Sequence, residues 1–390
     1  MLSFRFVVIV SASVIASAFP TDSPAEEKRA DAKLAAIQKA HKDAEAAFRT
    51  AAESLEDSVD KREKHDELWK AFDQAQGDQY NAAVELAKGD PKADDAVAAL
   101  EWVLTIPRSY YLPAGPAAME EVAKHHTKNS KVGKLVSCVG YYTPHEKFYP
   151  KEAAAAWAMI DAVAKDNPDK TVRAQAVLAK AAKVKQMHDD AVYLEQPDTE
   201  KLATAAESAY EAVIQEYGDC PRLIGEKSGT VGEFAKEELY ELRFLRVGKV
   251  APEIEAEGVD GTKFKLSDHR GKVVAVIFWA SWCGPCMADV PHEREMTERL
   301  KGKPFTIVAV NGDEKREKAA EVMAQEKMTW PSFWNGSDGA DGPISKAWNV
   351  RGWPTVYVLD AKGVIRFKGQ RREKLEEKVK LLLEEGEASK

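Results

Sequence analysis

Two patterns of apolar and polar positions divide the chain. From about residue 25 to 245, apolar residues recur at helical spacing in a background of Ala, Lys and Glu. Leu34, Ile37, His41, Ala44, Phe48, Ala51 and Leu55 alternate by three and four positions, so they share one face of a long helix. That stripe is weak in apolar mass, and an antiparallel hairpin is expected rather than a stable coiled coil. Further helices are predicted over 94–104, 151–165, 171–187, 199–217 and 231–243, separated by breakers such as Asn167-Pro168 and Gln196-Pro197-Asp198. The pair 171–187 and 199–217 has the look of a helix-turn-helix unit, without the fixed period of a solenoid.

After Val247 the pattern changes. Turn signals at Gly258, Asp260-Gly261 and Arg270-Gly271 precede the unbroken apolar run from Val273 to Ala280, which suits a central strand buried on both faces. A helix over 285–300, a strand over 305–310 and a helix over 314–326 follow, then strands over 355–359 and 364–367 and a helix over 372–385. The expected fold class is an all-α N-terminal region followed by an α/β layer domain, with boundaries at 19–246 and 247–390.

Residues 1–18 read as a secretory signal peptide. Arg5 precedes a short apolar run that ends in Ala16-Ser17-Ala18, and the run is shorter than the ~20 residues a spanning helix needs. An exported, periplasmic or extracytoplasmic protein is expected, anchored at a membrane if the signal is not cleaved. The formal net charge of −8 and the absence of a basic stripe argue against nucleic acid or anionic lipid as partners.

Four cysteines in 390 residues are too sparse for a disulfide framework. Cys283 and Cys286, however, sit in Trp282-Cys283-Gly284-Pro285-Cys286, between a buried strand and a helix. A thiol at a helix N-terminus faces unpaired N–H groups and the positive end of the dipole, so its thiolate is favoured. Pro285 costs the first turn nothing, because its missing N–H would have had no partner. Cys283 is expected to be the exposed nucleophile, and the deeper Cys286 to resolve its mixed disulfide. Competing readings are a structural disulfide and half of a zinc site. Zinc needs two more ligands, and His292 is the one close candidate, so no metal is expected.

From about Gly248 to Gly369 the chain resembles the exported thioredoxin-like proteins of the TlpA/ResA type. The strand leading into Phe278-Trp279-Ala280-Ser281-Trp282-Cys283-Gly284-Pro285-Cys286 carries the resemblance, with Asp289 where the family usually has Glu, Pro291 at a helix kink, and Gly352-Trp353-Pro354-Thr355 before a strand. The resemblance implies a thioredoxin-like fold and a thiol-disulfide oxidoreductase whose only redox group is the Cys283–Cys286 disulfide, with no further cofactor. It implies Asp289 as an acid that moves a proton at Cys286, and a cis Pro354 facing the cysteines. Trp282, Trp353 and Pro354 would then meet the substrate, and Gly284 and Pro285 complete the active-site motif. Ile277 stands where cytosolic thioredoxins carry a buried acid, which favours the exported branch. The implied partners are disulfide-containing exported proteins and a membrane or thiol electron donor, and the Gly-Pro dipeptide tilts the expectation towards reduction.

Two alternatives stay beside this reading. One is a redox-linked binding or scaffold protein that uses its helical domain. The other is a thiol peroxidase, whose Thr or Ser and Arg do not accompany Cys283. Cys138 and Cys220 are expected to be buried hydrophobes rather than a pair. His125, His126 and His145 read as polar residues facing solvent rather than metal ligands, and the acid-bearing segment 335–342 as a mobile loop near the active face.

Overall fold

The computed structural model describes residues 24–55, 61–224, 229–369 and 373–388. The expected signal peptide, residues 1–18, lies outside them. Two compact units emerge. One runs to Gln186 and takes in Ala212–Glu233, and the other combines Met187–Glu211 with Phe234–Lys390.

The helical elements come first: α1 (Pro24–Glu53), α2 (Lys61–Gly89), α3 (Asp94–Leu104), α4 (Ala114–Glu121), α5 (Gly133–Tyr142), α6 (Pro150–Asp166), α7 (Lys170–Tyr193), α8 (Thr199–Tyr217) and α9 (Val231–Phe244). The α1 stripe faces α2, with Phe48 stacked on Phe72 and edge-on to Trp69. His41 reaches Gln79 and Tyr80, further along α2, so the two helices run antiparallel as the weak stripe predicts. Aromatic rings supply the contact area that the small residues of α1 lack. The core of this unit gathers Leu100, Leu104, Tyr110, Met119, Leu135 and Met159. His126 is a correction to the surface reading of the histidines. It is buried, and burial holds its imidazole below the usual range.

The second unit holds the α/β fold. A small hairpin, β1 (Glu255–Glu257) with β2 (Lys263–Lys265), precedes β3 (Val273–Trp279), α10 (Gly284–Arg299), β4 (Phe305–Asn311), α11 (Arg316–Gln325), β5 (Ser332–Trp334), α12 (Pro343–Ala347), β6 (Thr355–Leu359), β7 (Ile365–Gly369) and α13 (Glu373–Ala388). The five-stranded sheet has the order β5-β4-β3-β6-β7. Strands β3, β4 and β5 are parallel, while β6 and β7 close the sheet antiparallel. The run from Val273 is therefore the central strand, as its unbroken hydrophobicity implies.

Alternate residues of β3 enter different cores. Val273, Ala275, Ile277 and Trp279 pack with Val290, Met296, Val322, Leu375 and Val379 from α10, α11 and α13. Val274, Val276 and Phe278 pack with Ile254, Trp348 and Tyr357. Each such valine, leucine, isoleucine, methionine or phenylalanine contributes about 1.5–3 kcal/mol of burial free energy. The site at the end of β3 is thereby held on a rigid strand.

The segment 335–342, expected as a mobile loop, is tied at its base by hydrogen bonds. Asn335 is fully buried, donates to the Gly339 carbonyl and Ser345 Oγ, and accepts from the Ile344 and Ser345 N–H groups. Gly342 is required there, because a Cβ would lie 1.8 Å from the Asn335 carbonyl oxygen.

Candidate active site

Strand β3 ends at Trp279, and a short segment delivers Cys283 as the N-cap of α10, with Pro285 in the first turn. The Cys286 N–H donates to Cys283 Sγ at 3.2 Å, so the helix start presents a donor to the first sulfur. Cys283 and Cys286 are joined, S–S 2.00 Å and Cα–Cα 5.3 Å. Neither is open to solvent: Cys283 is 4% and Cys286 3% exposed, and both belong to the core cluster on the α10 side of the sheet. The expected exposed Cys283 is thus not met in the disulfide form. The accessible surface of the motif is made by Gly284, Pro285 and Trp282, the last 56% exposed, whose ring lies edge-on to Trp353 at 5.8 Å between centroids.

Antiparallel pairing sets Thr355 opposite Phe278. The Trp353–Pro354 peptide, which is cis, therefore lies beside the end of β3 from which the cysteine segment departs. Trp353 packs edge-on to Phe278 and over Gly312, where a Cβ would meet the indole at 2.5 Å. Only glycine leaves room for this ring beside the motif.

Asp289 is half-buried, one turn beyond Cys286 on α10. The buried face of this helix continues to a residue that sequence reading missed. Cys286, Val290, Glu293 and Met296 are its inward positions. Glu293 is 7% exposed, and its carboxyl is pushed up to about 8, first by burial and second by the charge of Asp289. Counting three and four positions on from Cys286 would have placed an acid on that face.

A further missed residue is Asp313, buried just beyond β4. Its carboxylate accepts from the Ser281 N–H at 3.1 Å, from Ser281 Oγ at 2.6 Å and from Asn311 Nδ2 at 2.7 Å. It fixes the chain two residues before Cys283. Asp313→Ala leaves those donors without an acceptor. It is expected to cost about 2–3 kcal/mol in chemical denaturation, and the loosened motif to turn over disulfides roughly tenfold more slowly. Unchanged stability and turnover would show that Asp313 does not hold the segment.

The loop before Pro354 is held from the helical side of the same unit. Arg351 pairs with Glu238 and, at 3.1 Å, with Glu237, and lies over the Phe234 ring at 4.6 Å. Glu241 accepts from Asn349 Nδ2 at 2.7 Å and pairs with Lys368 at 2.9 Å. Helix α9 is thus tied to Asn349 and Arg351 of the segment leading to the cis peptide, and to Lys368 of β7. Cys138 and Cys220 are free and buried, and burial pushes both thiols up.

The Redoxin family matches residues 246–382. Over 152 residues the chain is 32% identical to the thiol-disulfide oxidoreductase ResA of Bacillus cereus, covering 38% of this chain and 83% of that protein. It is 34% identical over 125 residues to the thioredoxin-like protein YneN of Bacillus subtilis, 31% of this chain and 70% of that one. Among solved structures, a putative thiol:disulfide interchange protein DsbE from Chlorobium tepidum is 33% identical, with a TM-score of 0.32, covering 35% of this chain and 98% of that chain.

Proposed function

The chain belongs to the family of ResA-type thiol-disulfide oxidoreductases, and from that premise we propose that it reduces or exchanges disulfides of partner proteins outside the cytoplasm. The observation that carries this reading is the Cys283–Cys286 disulfide at the start of α10, with the Cys286 N–H aimed at Cys283 Sγ. In the reduced state that N–H and the helix dipole favour a Cys283 thiolate, the form that attacks disulfides. Its attack on a partner disulfide forms a mixed disulfide and expels one partner thiolate. Cys286 then attacks Cys283 Sγ, releases the second partner sulfur and closes the ring.

Asp289, one helical turn from Cys286, serves as the acid that takes and returns the Cys286 proton. Trp282, Trp353 and Pro354 form the surface that meets the substrate, with the backbone beside Pro354 available to an extended segment. The cysteine pair is the only redox group this cycle needs, and a membrane or thiol donor restores the dithiol. Residues 1–18 support export, and among the described residues no helix is long and apolar enough to cross a membrane. The test is insulin-disulfide reduction by the purified protein with dithiothreitol. Acceleration over dithiothreitol alone is expected, and no acceleration would overturn the reading.

A further inference from the structure

We propose that Glu293 is the proton store of the cysteine pair, a positioning residue that acts on Cys286 through Asp289. The inference rests on the oxidoreductase reading and adds to it a group outside the cysteine motif. On α10, Asp289 is three residues from Cys286 and four from Glu293, so the three side chains succeed one another at neighbouring helix positions, roughly 5–6 Å apart at Cβ. Both ends of this row, Cys286 and Glu293, are buried.

The other charged groups of α10 are engaged elsewhere. His292 and Arg299 turn to Glu376 of α13, Arg294 turns to Glu326 at the end of α11, and the exposed Glu295 and Glu298 pair with Arg299 and Lys301. The strands that pack on the inward face supply apolar groups, Ala275 and Ile277 from β3 and Ile307 and Ala309 from β4. Among the described residues, Asp289 is the charged group that acts on Glu293. Burial, reinforced by the charge of Asp289, keeps Glu293 protonated at neutral pH, because two adjacent carboxylates resist ionising together.

The step balances as follows. A reductant thiolate attacks Cys283 Sγ, a new S–S bond forms, and the Cys283–Cys286 bond breaks with its electron pair left on Cys286 Sγ. Asp289 passes the Glu293 proton to that sulfur, giving a Cys286 thiol and a Glu293 carboxylate, which solvent then reprotonates through Asp289. The sequence runs in reverse when the disulfide closes. Once Glu293 is ionised the store is empty, and opening of the disulfide slows.

The test is stopped-flow reduction of the oxidised protein by dithiothreitol across pH, followed by tryptophan fluorescence and expressed per dithiothreitol thiolate. The wild-type rate constant should fall about tenfold per pH unit above the Glu293 titration. Glu293→Gln should be roughly tenfold slower near neutrality and should lose the alkaline fall. Glu293→Leu, which suits the apolar surroundings, provides the same reading should the glutamine variant fold poorly. A flat wild-type profile, or a variant that keeps the wild-type fall, overturns the proposal. A wild type inert towards insulin would instead overturn the oxidoreductase reading itself.

Discussion

Cys283→Ser is expected to abolish insulin reduction, by about three orders of magnitude or more, because the hydroxyl left at the start of α10 is not a nucleophile at neutral pH. The fold should survive the change. Serine caps helices well, and the core cluster around Cys283 is held by Trp279, Val290 and Val356 independently of the sulfur. Cys286→Ser should fail differently. Cys283 keeps its N–H donor and attacks the partner, but no second thiol releases it, so the variant accumulates a mixed disulfide visible by non-reducing electrophoresis. Equal trapping by the two variants would contradict the order of attack, and residual turnover by Cys283→Ser would point to chemistry elsewhere in the chain.

A second large effect has an unusual sign: a substitution in the active-site helix that stabilises the protein. Glu293 ionises near 8 in the fold and near ~4.3 in an unfolded chain. Between these values the folded state holds the extra proton, so stability is lost as pH rises from ~4.3 to the folded value and stays low beyond it. The shift corresponds to an upper figure of about 5 kcal/mol, and relaxation of the buried site reduces this to about 2–4 kcal/mol. Glu293→Leu removes the titration and suits neighbours such as Val290 and Met296. Guanidinium denaturation of wild type and variant at about pH 5 and about pH 9 should give an advantage for leucine that is larger by that amount at the higher pH. An advantage independent of pH would mean that Glu293 titrates alike in both states.

The redox fold was legible because its signals are local. An uninterrupted β-branched run is buried on both faces whatever surrounds it, and a C-x-x-C motif followed by a helix presents thiols to a helix N-terminus in any context. The short pairings were not legible. β5 has three residues, and the β1–β2 hairpin is just as short, so neither builds an alternating pattern. Helix α2 was missed because its first turns are almost wholly charged, and its apolar side shows itself only against α1 and α3. The site residues divide in the same way. Cys283, Cys286 and Pro354 announce themselves by spacing and resemblance. Asp313 and Arg351 take their roles from Ser281 and Glu238, partners 32 and 113 residues away, which no local pattern encodes. Glu293 lies between these cases, since its place on the Cys286 face is local but its burial depends on the sheet beneath it.

Among the described residues, four ion-paired ties between the added helices and the redox fold share one polarity. Glu195, Glu200, Glu237, Glu238 and Glu241 give the carboxylates, and Lys378, Arg246, Arg351 and Lys368 give the cations. Those cations would otherwise lend the redox fold a positive field able to draw in acidic proteins from a distance. With these four cations neutralised locally, the proposed capture of a disulfide-bearing partner rests more on short-range contact at the proposed indole surface of Trp282 and Trp353.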